Sequence, residues 1–437
     1  MLAESFETGV QDSEEIFSFD DLTIRLNIRG ASEYSKVSFP IRYGRYHEIE
    51  TPEYIFQVDL NGEVAFIQGR GSAWPHPAEW LKRSLANDWI YYSVGSYNDV
   101  HDLIGEYYFP CLEYERNFFF RDNPFDLKIV QSAFMEWQKV AHKIKFYSRG
   151  RYPEPLHSFL HLTACADEPF LMKKAETLRR LNGGLNTILP PDSRHVDYNL
   201  IPVVIAEGCL YHCGFCRFKT DRPFSNLNQA QLVERMKQIR CFLGNTLQNF
   251  NALFLGRHDA LHAENMSGAV TFAAENAYDI FHFDRSFMKG AWLFFFGSVD
   301  SLLAAKESVF AALNNLPYLT FINIGFESGD PRTLEELKKP VRVSHVKEAF
   351  SKLMDINRRY PHVEITANFV LGTDLSENHY ESVLDMARNG IAHFYNKGAV
   401  YFSPLDPAAS KIKLLRRFNE FKRLNRLPTF IYLVQRL

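Results

Sequence analysis

Three cysteines near the middle of the chain stand at a spacing that suits an iron–sulfur cluster. Cys209, Cys213 and Cys216 form a C-x3-C-x2-C triplet on a Gly-containing loop after the apolar run 201–206. Thiolates are the usual ligands of [4Fe–4S] clusters, and three of them can hold three of the four irons. The fourth iron then has no protein thiolate and can bind a substrate or cofactor. A tetrahedral zinc site usually pairs two separated C-x2-C units or adds histidines, so this spacing fits zinc less well; a zinc knuckle and three structural thiols remain as alternatives.

The triplet also resembles the signature of the radical S-adenosylmethionine (SAM) superfamily, in which an aromatic residue precedes the third cysteine, as Phe215 does here. The resemblance implies that the fourth iron chelates the amino and carboxylate groups of SAM. It further implies that the reduced cluster cleaves the C5′–S bond and that the resulting 5′-deoxyadenosyl radical abstracts hydrogen from a substrate. The implied cofactors are one [4Fe–4S] cluster and SAM. The implied partner is an electron donor such as flavodoxin or ferredoxin, in an anaerobic cytoplasmic setting.

The elements that must position the triplet alternate between strand and helix after residue 198, which predicts an α/β fold with parallel strands. The predicted strands are 201–206, 252–256, 292–297, 319–326, 363–371 and 399–402. The predicted helices are 229–242, 265–278, 301–313, 343–359, 377–387 and 408–426. In barrels of such units the chemistry gathers at the carboxyl ends of the strands. The resemblance covers about residues 198–405 and implies a partial (β/α)6 TIM-like barrel whose cysteine loop follows the first strand.

Two strand ends downstream of the loop are expected to contact SAM. The I-G-x-E-S-G segment at 324–329 resembles the branch that holds methylthiotransferases, cobalamin-binding radical SAM enzymes, elongator-type enzymes and oxygen-independent coproporphyrinogen oxidases. Its Glu327 is expected to accept hydrogen bonds from SAM, with an N-cap or a salt bridge to a helix lysine as the alternative. Gly256 stands where related enzymes meet the SAM amino group, although the usual GGE-type sequence is missing. Arg257 and Asp259 beside it are weaker candidates.

Two further strand ends add candidates for the nucleoside of SAM. Ser298 or Asp300 is expected either to bond a ribose hydroxyl or to cap a helix. Asn368 is expected to reach the ribose. Gly372 allows the backbone to approach a ligand closely, and the resemblance lays this strand along the SAM nucleoside.

Other residues with reactive side chains are given structural roles. His212 lies inside the cysteine loop but is not expected to be a ligand. His195 and Asp197 precede the first strand, where they would line the barrel mouth or make capping interactions. The other cysteines have no partner at ligand spacing, so no second cluster is expected; they are Cys111, Cys165 and Cys241.

The residues before 198 match no recognised family pattern. Strands are predicted at 23–27, 37–41, 54–60 and 63–68, and helices at 77–86, 99–107 and 126–146. Asn61-Gly62 is a strong hairpin signal because both residues tolerate positive φ. Aromatic clusters at 89–92 and 118–120 are expected to pack in a core. The predicted regions are an acidic N-terminus (1–20), a mixed α+β domain (21–146), a helical connector (147–197), the barrel (198–405) and a basic C-terminal helix (406–437).

Composition limits the partners and the compartment. The net charge is -3, and no RNA-binding module is apparent, so a small-molecule substrate is favoured over RNA. It is expected to be buried between the barrel mouth and the N-terminal domain. The basic C-terminal helix has an apolar stripe and is expected to dock on the barrel rather than on a membrane or nucleic acid. No apolar run is long enough to span a membrane, and few cysteines fit a reducing cytoplasm. The alternatives are a radical SAM RNA-modifying enzyme and a non-catalytic iron–sulfur or zinc binding protein.

Overall fold

A computed structural model describes residues 14–34, 42–74, 79–94, 107–108, 124–184, 188–216, 223–391, 397–405, 411–432 and 435–436. The predicted strand at 37–41 and the aromatic cluster at 118–120 lie outside these residues. So does the predicted helix at 99–107, apart from Tyr107, which is in a strand. Within the described residues the chain forms two large sheets, one antiparallel and one parallel.

The antiparallel sheet has eight strands that pair in sequence order. They are β1 (Glu15–Phe19), β2 (Leu22–Arg29), β3 (Arg45–Glu50), β4 (Tyr54–Val58), β5 (Val64–Gly69), β6 (Glu79–Arg83), β7 (Trp89–Val94) and β8 (Tyr107–Tyr108). Alternate residues of β2 are buried, as expected for a sheet with one covered face. Helices α1 (Lys128–Tyr147) and α2 (Leu156–Cys165) pack on that face. Helix α3 (Glu168–Leu181) follows them.

One prediction for this sheet is confirmed and one is wrong. Asn61-Gly62 joins β4 to β5, and Gly62 has the positive φ of +84° that the turn requires. Residues 79–83, predicted as part of a helix, form strand β6 between β5 and β7. The polar residues of this segment are buried and bonded instead of solvated: Tyr91 donates to Glu79, and Lys82 Nζ donates to the carbonyl of Asp197 at 2.6 Å.

The parallel sheet has seven strands in the order β10-β13-β14-β15-β16-β17-β18. They are β10 (Ile201–Val203), β13 (Ala252–Asp259), β14 (Trp292–Ser298), β15 (Leu319–Glu327), β16 (Val363–Leu371), β17 (Val400–Pro404) and β18 (Thr429–Ile431). The short strands are β9 (Ile188–Leu189), which pairs with β19 (Gln435–Arg436), and β11 (Ala206–Glu207), which pairs with β12 (Ser225–Asn226). The predicted partial α/β barrel is confirmed, with a seventh strand, β18, that was not predicted.

The helices of the barrel lie between and after its strands. They are α4 (Gln229–Leu243), α5 (Ala260–Ser267), α6 (Ala269–Ile280), α7 (Val299–Ala304), α8 (Glu307–Asn315), α9 (Pro331–Glu336), α10 (Val343–Arg359), α11 (Glu377–Leu384) and α12 (Lys411–Leu424). The helix predicted at 265–278 is interrupted at Gly268, whose φ is +65°. The helix predicted at 301–313 is broken at Ala305. The apolar stripe of α12 packs against the barrel, as predicted, through Leu414, Phe418 and Phe421.

The two faces of the parallel sheet have different neighbours. One set of alternating residues packs against the helices, and the other set packs against the 3-10 helix Pro191–Val196. That short helix carries Asp192, which accepts hydrogen bonds from Thr366 Oγ1 at 2.6 Å and Tyr401 Oη at 2.8 Å. Ring contacts among Trp292, Phe294 and Phe321 fill the space beside it. The inner face of the barrel is therefore filled with side chains at this level.

The antiparallel sheet contacts the barrel at the amino ends of the parallel strands. Arg45 N donates to Asn249 Oδ1 at 2.7 Å, just before β13, and Lys82 reaches Asp197, just before β10. Asn61 Nδ2 donates to Leu243 O at 2.8 Å, at the end of α4. The cysteine triplet follows the first strand and lies at the opposite, carboxyl end. No helix in the described part of the chain is both long and apolar enough to cross a membrane.

Candidate active site

The cysteine triplet lies on the loop of a small hairpin at the carboxyl end of the first barrel strand. Strands β11 and β12 pair antiparallel and close this loop. Gly208 begins it with a φ of +88°, and a Cβ there would lie 2.3 Å from the carbonyl oxygen of Pro223. The amide of Gly214 donates to Leu337 O at 2.9 Å, which ties the loop to the segment after α9. The loop is thus fixed by its backbone at both of these glycines.

The three cysteines are free thiols and lie close together. Cys213 is buried, while Cys209 and Cys216 are half-buried. Burial raises the pKa of Cys209, and burial raises the pKa of Cys213 to about 11. Within the described ranges no three His, Cys, Asp or Glu side chains converge on a single metal ion. The thiolates of a cubane bind separate irons, so this donor set fits a [4Fe–4S] cluster without such convergence.

A buried ion pair lies beside the triplet. Lys339 Nζ is 3.2 Å from Glu327 Oε1 and donates to Gly325 O at 3.0 Å. Burial opposes the charge of Lys339, but Glu327, Cys213 and Cys209 outweigh it and raise the lysine pKa. The ammonium also lies 5.1 Å from the ring centroid of Tyr211, inside the cysteine loop. The alternative stated for Glu327, a salt bridge to a lysine, is thus present, although Lys339 follows helix α9 instead of lying on it.

The backbone at Glu327 is in an unusual conformation. Its φ is +64°, in the left-handed region that few non-glycine residues adopt. The register of β15 with β16 shifts at this position, between Gly325 and Glu327. Such conformations persist where the surrounding structure holds them, and they cluster at functional sites. The carboxylate is placed at the strand end by this bulge.

Asp259, a weaker candidate in the sequence, lies close to the cysteine loop in the structure. It ends β13 beside the register shift that follows Leu255, and its charge acts on Cys209. One carboxylate oxygen accepts from His262 N at 2.9 Å and caps α5. The other oxygen, Oδ2, is buried and no described donor meets it in good hydrogen-bond geometry, although the Ser298 and Ser301 side chains lie near enough to act against the rise in the Asp259 pKa. Burial raises the Asp259 pKa. A cation such as the ammonium of SAM would satisfy this oxygen.

Tyr211 links the cysteine loop to helix α7, which follows the third barrel strand. Its hydroxyl donates to Asp300 Oδ2 at 2.5 Å, and His345 Nδ1 lies 3.4 Å from Asp300 Oδ1. The ribose role expected for Asp300 thus competes with these two contacts. Sequence reasoning missed Tyr211 and Lys339 because a tyrosine in a loop and a lysine after a helix carry no local signal of burial.

Two predicted nucleoside contacts lie on one level of the sheet. Ser298 pairs with Gly325, and Gly325 pairs with Asn368 on the next strand. Strands are about 4.8 Å apart, so the two outer residues are about 10 Å apart across the inner face. Ser298 caps α7 by accepting from Ser301 N, which confirms its capping alternative. Asn368 Oδ1 accepts from Ser403 Oγ at 3.2 Å. Their contacts with SAM stay predictions.

The two predicted glycine sites are packed by protein atoms. The space that a Cβ would take at Gly256 is filled by the ring of Phe254, only 2.0 Å away. At Gly372 the side chain of Leu375 lies 3.2 Å away, and the amide bonds to the Tyr380 hydroxyl. These glycines serve local packing, and a backbone contact with SAM remains a prediction for both.

The remaining candidates lie away from the triplet or are exposed. His195 stacks on Phe321 and Trp292 at the amino ends of their strands, and Asp197 is fully buried there. Of the two alternatives given for these residues, lining the barrel mouth is therefore wrong. His212 is exposed, and Phe215 is half-buried between the second and third cysteines.

Comparison with known families decides the class of this domain. A family model described as the radical SAM superfamily matches residues 203–387, which include the triplet, the Lys339–Glu327 pair and Asp259. The chain contains a radical SAM domain. This confirms the predicted enzyme class and its two cofactors, a [4Fe–4S] cluster and SAM. The radical SAM branch suggested by the segment 324–329 stays a prediction.

Solved structures give only weak likenesses to the chain. A radical SAM methyltransferase from Sphaerobacter thermophilus has 15% identity and a TM-score of 0.35, over 53% of this chain and 65% of that one. Streptococcus suis SuiB has 12% identity and a TM-score of 0.35, over 81% and 71%. The cobalamin-dependent SAM radical enzyme OxsB has 15% identity and a TM-score of 0.34, over 54% of this chain and only 33% of that one. None of the curated proteins matches. Likenesses this weak indicate nothing about the substrate.

Proposed function

We propose that the protein is a radical SAM enzyme that cleaves SAM reductively to a 5′-deoxyadenosyl radical, which abstracts hydrogen from a small-molecule substrate. The observation that carries the proposal is the set of three free cysteines on a fixed loop at the carboxyl end of the barrel. Cys209, Cys213 and Cys216 would hold three irons of the cluster. A flavodoxin or ferredoxin would supply the electron.

The chain's own residues would bind and orient SAM around the loop. Asp259 Oδ2 offers a buried acceptor with spare hydrogen-bonding capacity for the SAM ammonium. Glu327 is held at the strand end by its bulge and by Lys339, where its second oxygen can accept from SAM. Ser298 and Asn368 would face the nucleoside from the level below. Lys339, buried among the thiol ligands, would offset part of their negative charge.

The position of the antiparallel sheet does not fit the sequence-based expectation for the substrate site. That expectation placed the substrate between the barrel mouth and the N-terminal domain, but every described contact named above joins the antiparallel sheet to the amino ends of the strands. The antiparallel sheet is therefore on the wrong side to cover the cysteines. A net charge of -3 and the missing RNA-binding module support a small molecule over RNA.

The central test is anaerobic reconstitution of the full chain with iron and sulfide, followed by dithionite and SAM. Wild type should gain the visible absorption of a [4Fe–4S] cluster and release 5′-deoxyadenosine. Cys213→Ser should lose both, whereas Cys241→Ser, which changes an exposed cysteine on α4, should keep both. A wild-type chain that retains zinc and gives neither signal would support the binding-protein alternative.

Asp259→Asn tests the proposed ammonium site. Asparagine keeps the helix cap but removes the charge. Because a hydrogen bond to a charged group contributes about 1.5–3 kcal/mol, SAM affinity should fall by roughly 10- to 100-fold. Calorimetric titration of SAM into the cluster-loaded protein measures this, with the exposed Asp284→Asn as the control. Unchanged affinity in Asp259→Asn would remove this residue from the SAM site.

A further inference from the structure

We propose that the cavity between the antiparallel sheet and the amino ends of the barrel strands is a binding site for a small organic anion with a flat ring. The cavity has a volume of about 150 Å³. An apolar cavity of that volume accommodates a benzene molecule, so a ring with one carboxylate is the right scale. The site is distinct from the cysteine loop, which lies at the other end of the barrel.

Aromatic side chains supply much of the cavity wall. The rings of Tyr34 and Tyr43 are 4.9 Å apart, and Lys82 Nζ lies 5.6 Å from the ring centroid of Phe66. Tyrosine and phenylalanine faces bury flat molecules well and favour offset or edge contacts with a second ring. The aromatic residues of the wall are Tyr34, Tyr43, Tyr46, Phe66, Tyr198 and Phe250.

Unsatisfied hydrogen-bond donors of the wall point to an acceptor on the ligand. Gln57 is only 4% exposed, and its Nε2 has no hydrogen-bond partner among the described residues. Arg45 Nε and the Thr246 hydroxyl are also buried without a partner there. Buried donors are almost always satisfied in folded proteins, by protein, water or ligand. Gln57 and Arg45 come from the sheet and Thr246 from the barrel, so a ligand that binds all three would join the two.

The charge of the wall favours an anion. The cavity is lined by four cations and two carboxylates, namely Arg45, Lys82, Arg83, Lys174, Asp59 and Glu63. Glu63 is already bonded by Arg83 at 2.9 Å and by Lys174. Asp59 accepts from the backbone amides of Asn61 and Glu63. Both carboxylates are thus occupied, and the buried carboxylate of Asp197 also acts on Lys82. Four cations against these three carboxylates leave one net positive charge for the ligand. A carboxylate would meet both this charge and the donors of Gln57 and Arg45.

The position of the site separates it from radical chemistry. Its barrel residues, among them Leu200, Phe250 and Met288, precede strands β10, β13 and β14. The aromatic filling around Phe294 and Phe321 lies between this level and the carboxyl ends. A ligand here would act as an effector or a structural ligand and not as the substrate of the cluster. The inference does not depend on the proposed function.

Titration of the full chain with benzoate tests the site, with benzyl alcohol as the neutral probe. Benzoate should release or absorb heat in calorimetry and raise the melting temperature, and benzyl alcohol should do neither. Gln57→Leu should weaken benzoate binding at least tenfold. The same variant should melt at a higher temperature than wild type without ligand, because it removes a buried donor that has no partner. Gln238→Leu, on the exposed face of α4, should change neither quantity.

A second variant keeps the test decisive if Gln57→Leu fails to fold. Thr246→Val removes the unpartnered hydroxyl at nearly constant volume and should also weaken benzoate binding. Absence of any benzoate signal in wild type, equal binding of benzyl alcohol, or unchanged affinity in a folded Gln57→Leu or Thr246→Val would each overturn the proposal.

Discussion

The residues around the cysteine loop show which site residues a sequence can reveal. The triplet and Glu327 belong to patterns of neighbouring residues, so both could be found without a structure. Lys339 could not, because in sequence it is one of two adjacent lysines before a proline. Only the fold shows that Lys339 is buried with Glu327 while Lys338 is exposed.

In the Lys339–Glu327 pair, each residue should stabilise the fold mainly by neutralising the buried charge of the other. Lys339→Met leaves a buried carboxylate without its partner and should cost about 3–5 kcal/mol of unfolding free energy. The double variant Lys339→Met/Glu327→Leu should recover a large part of that loss, since no buried charge then remains. Urea denaturation of the cluster-free chain measures both, and Lys338→Met is the exposed control. A double variant as unstable as the sum of its single variants would contradict this coupling.

The elements were predictable where one strand or helix carried its own periodicity. Strand β16 and helix α10 have the predicted bounds, 363–371 and 343–359, because their apolar positions follow periods of two and of about 3.6 residues. Strand β6 was missed because its charged residues find partners only in other elements. Strand β18 is three residues long, too short for a periodic pattern. Tertiary contacts decided both of these segments.

The hairpin that carries the triplet should depend on glycine at position 208. Alanine there would have a φ of +88° and a Cβ 2.3 Å from Pro223 O. A left-handed conformation costs a non-glycine residue about 1–2 kcal/mol, before the clash is counted. Gly208→Ala should therefore bind several-fold less iron after reconstitution, with the far-UV circular dichroism of the fold retained. Gly71→Ala, where no atom lies within 4 Å of the added Cβ, should bind iron like wild type. Full iron content in Gly208→Ala would show that the loop adapts.

At the scale of the whole molecule, the sequence did not reveal how the antiparallel sheet docks on the barrel. Strand and helix patterns describe single elements, whereas docking depends on side chains that are far apart in the chain, such as Arg45 and Asn249. The N-terminal sheet was expected at the barrel mouth and is found at the other end. The fold class could thus be predicted from the sequence, but the end of the barrel against which the N-terminal sheet packs could not.

The free energy of unfolding should decrease as the pH falls below neutral, in part because of His47 in the N-terminal sheet. Its Nδ1 accepts from Asn27 N at 3.1 Å, and burial lowers its pKa from 6.5 to about 4. The unfolded chain therefore binds a proton that the folded chain does not, and stability is lost as the pH falls from about 6.5 towards 4. A lowering of this size corresponds to about 3 kcal/mol for the one group.

Replacement of His47 should flatten this dependence. His47→Asn keeps an acceptor near the Nδ1 position but does not titrate in this range. Its unfolding free energy should change less between pH 6.5 and about pH 4 than that of wild type, whereas the exposed His161→Asn should follow wild type. Urea denaturation at a series of pH values provides the comparison. A His47→Asn slope equal to that of wild type would assign the acid lability to other groups.

The order of the parallel strands has a consequence for how the protein is made. The eight antiparallel strands pair with their sequence neighbours, so that sheet can assemble as it emerges from the ribosome. The cysteine loop emerges well before Lys339 and before β18, which completes the parallel sheet beside β17. For much of its synthesis the chain therefore exposes its three thiols without the residues that enclose them. Iron and sulfide would therefore find the cysteine loop fully enclosed only after the ribosome has translated the whole barrel.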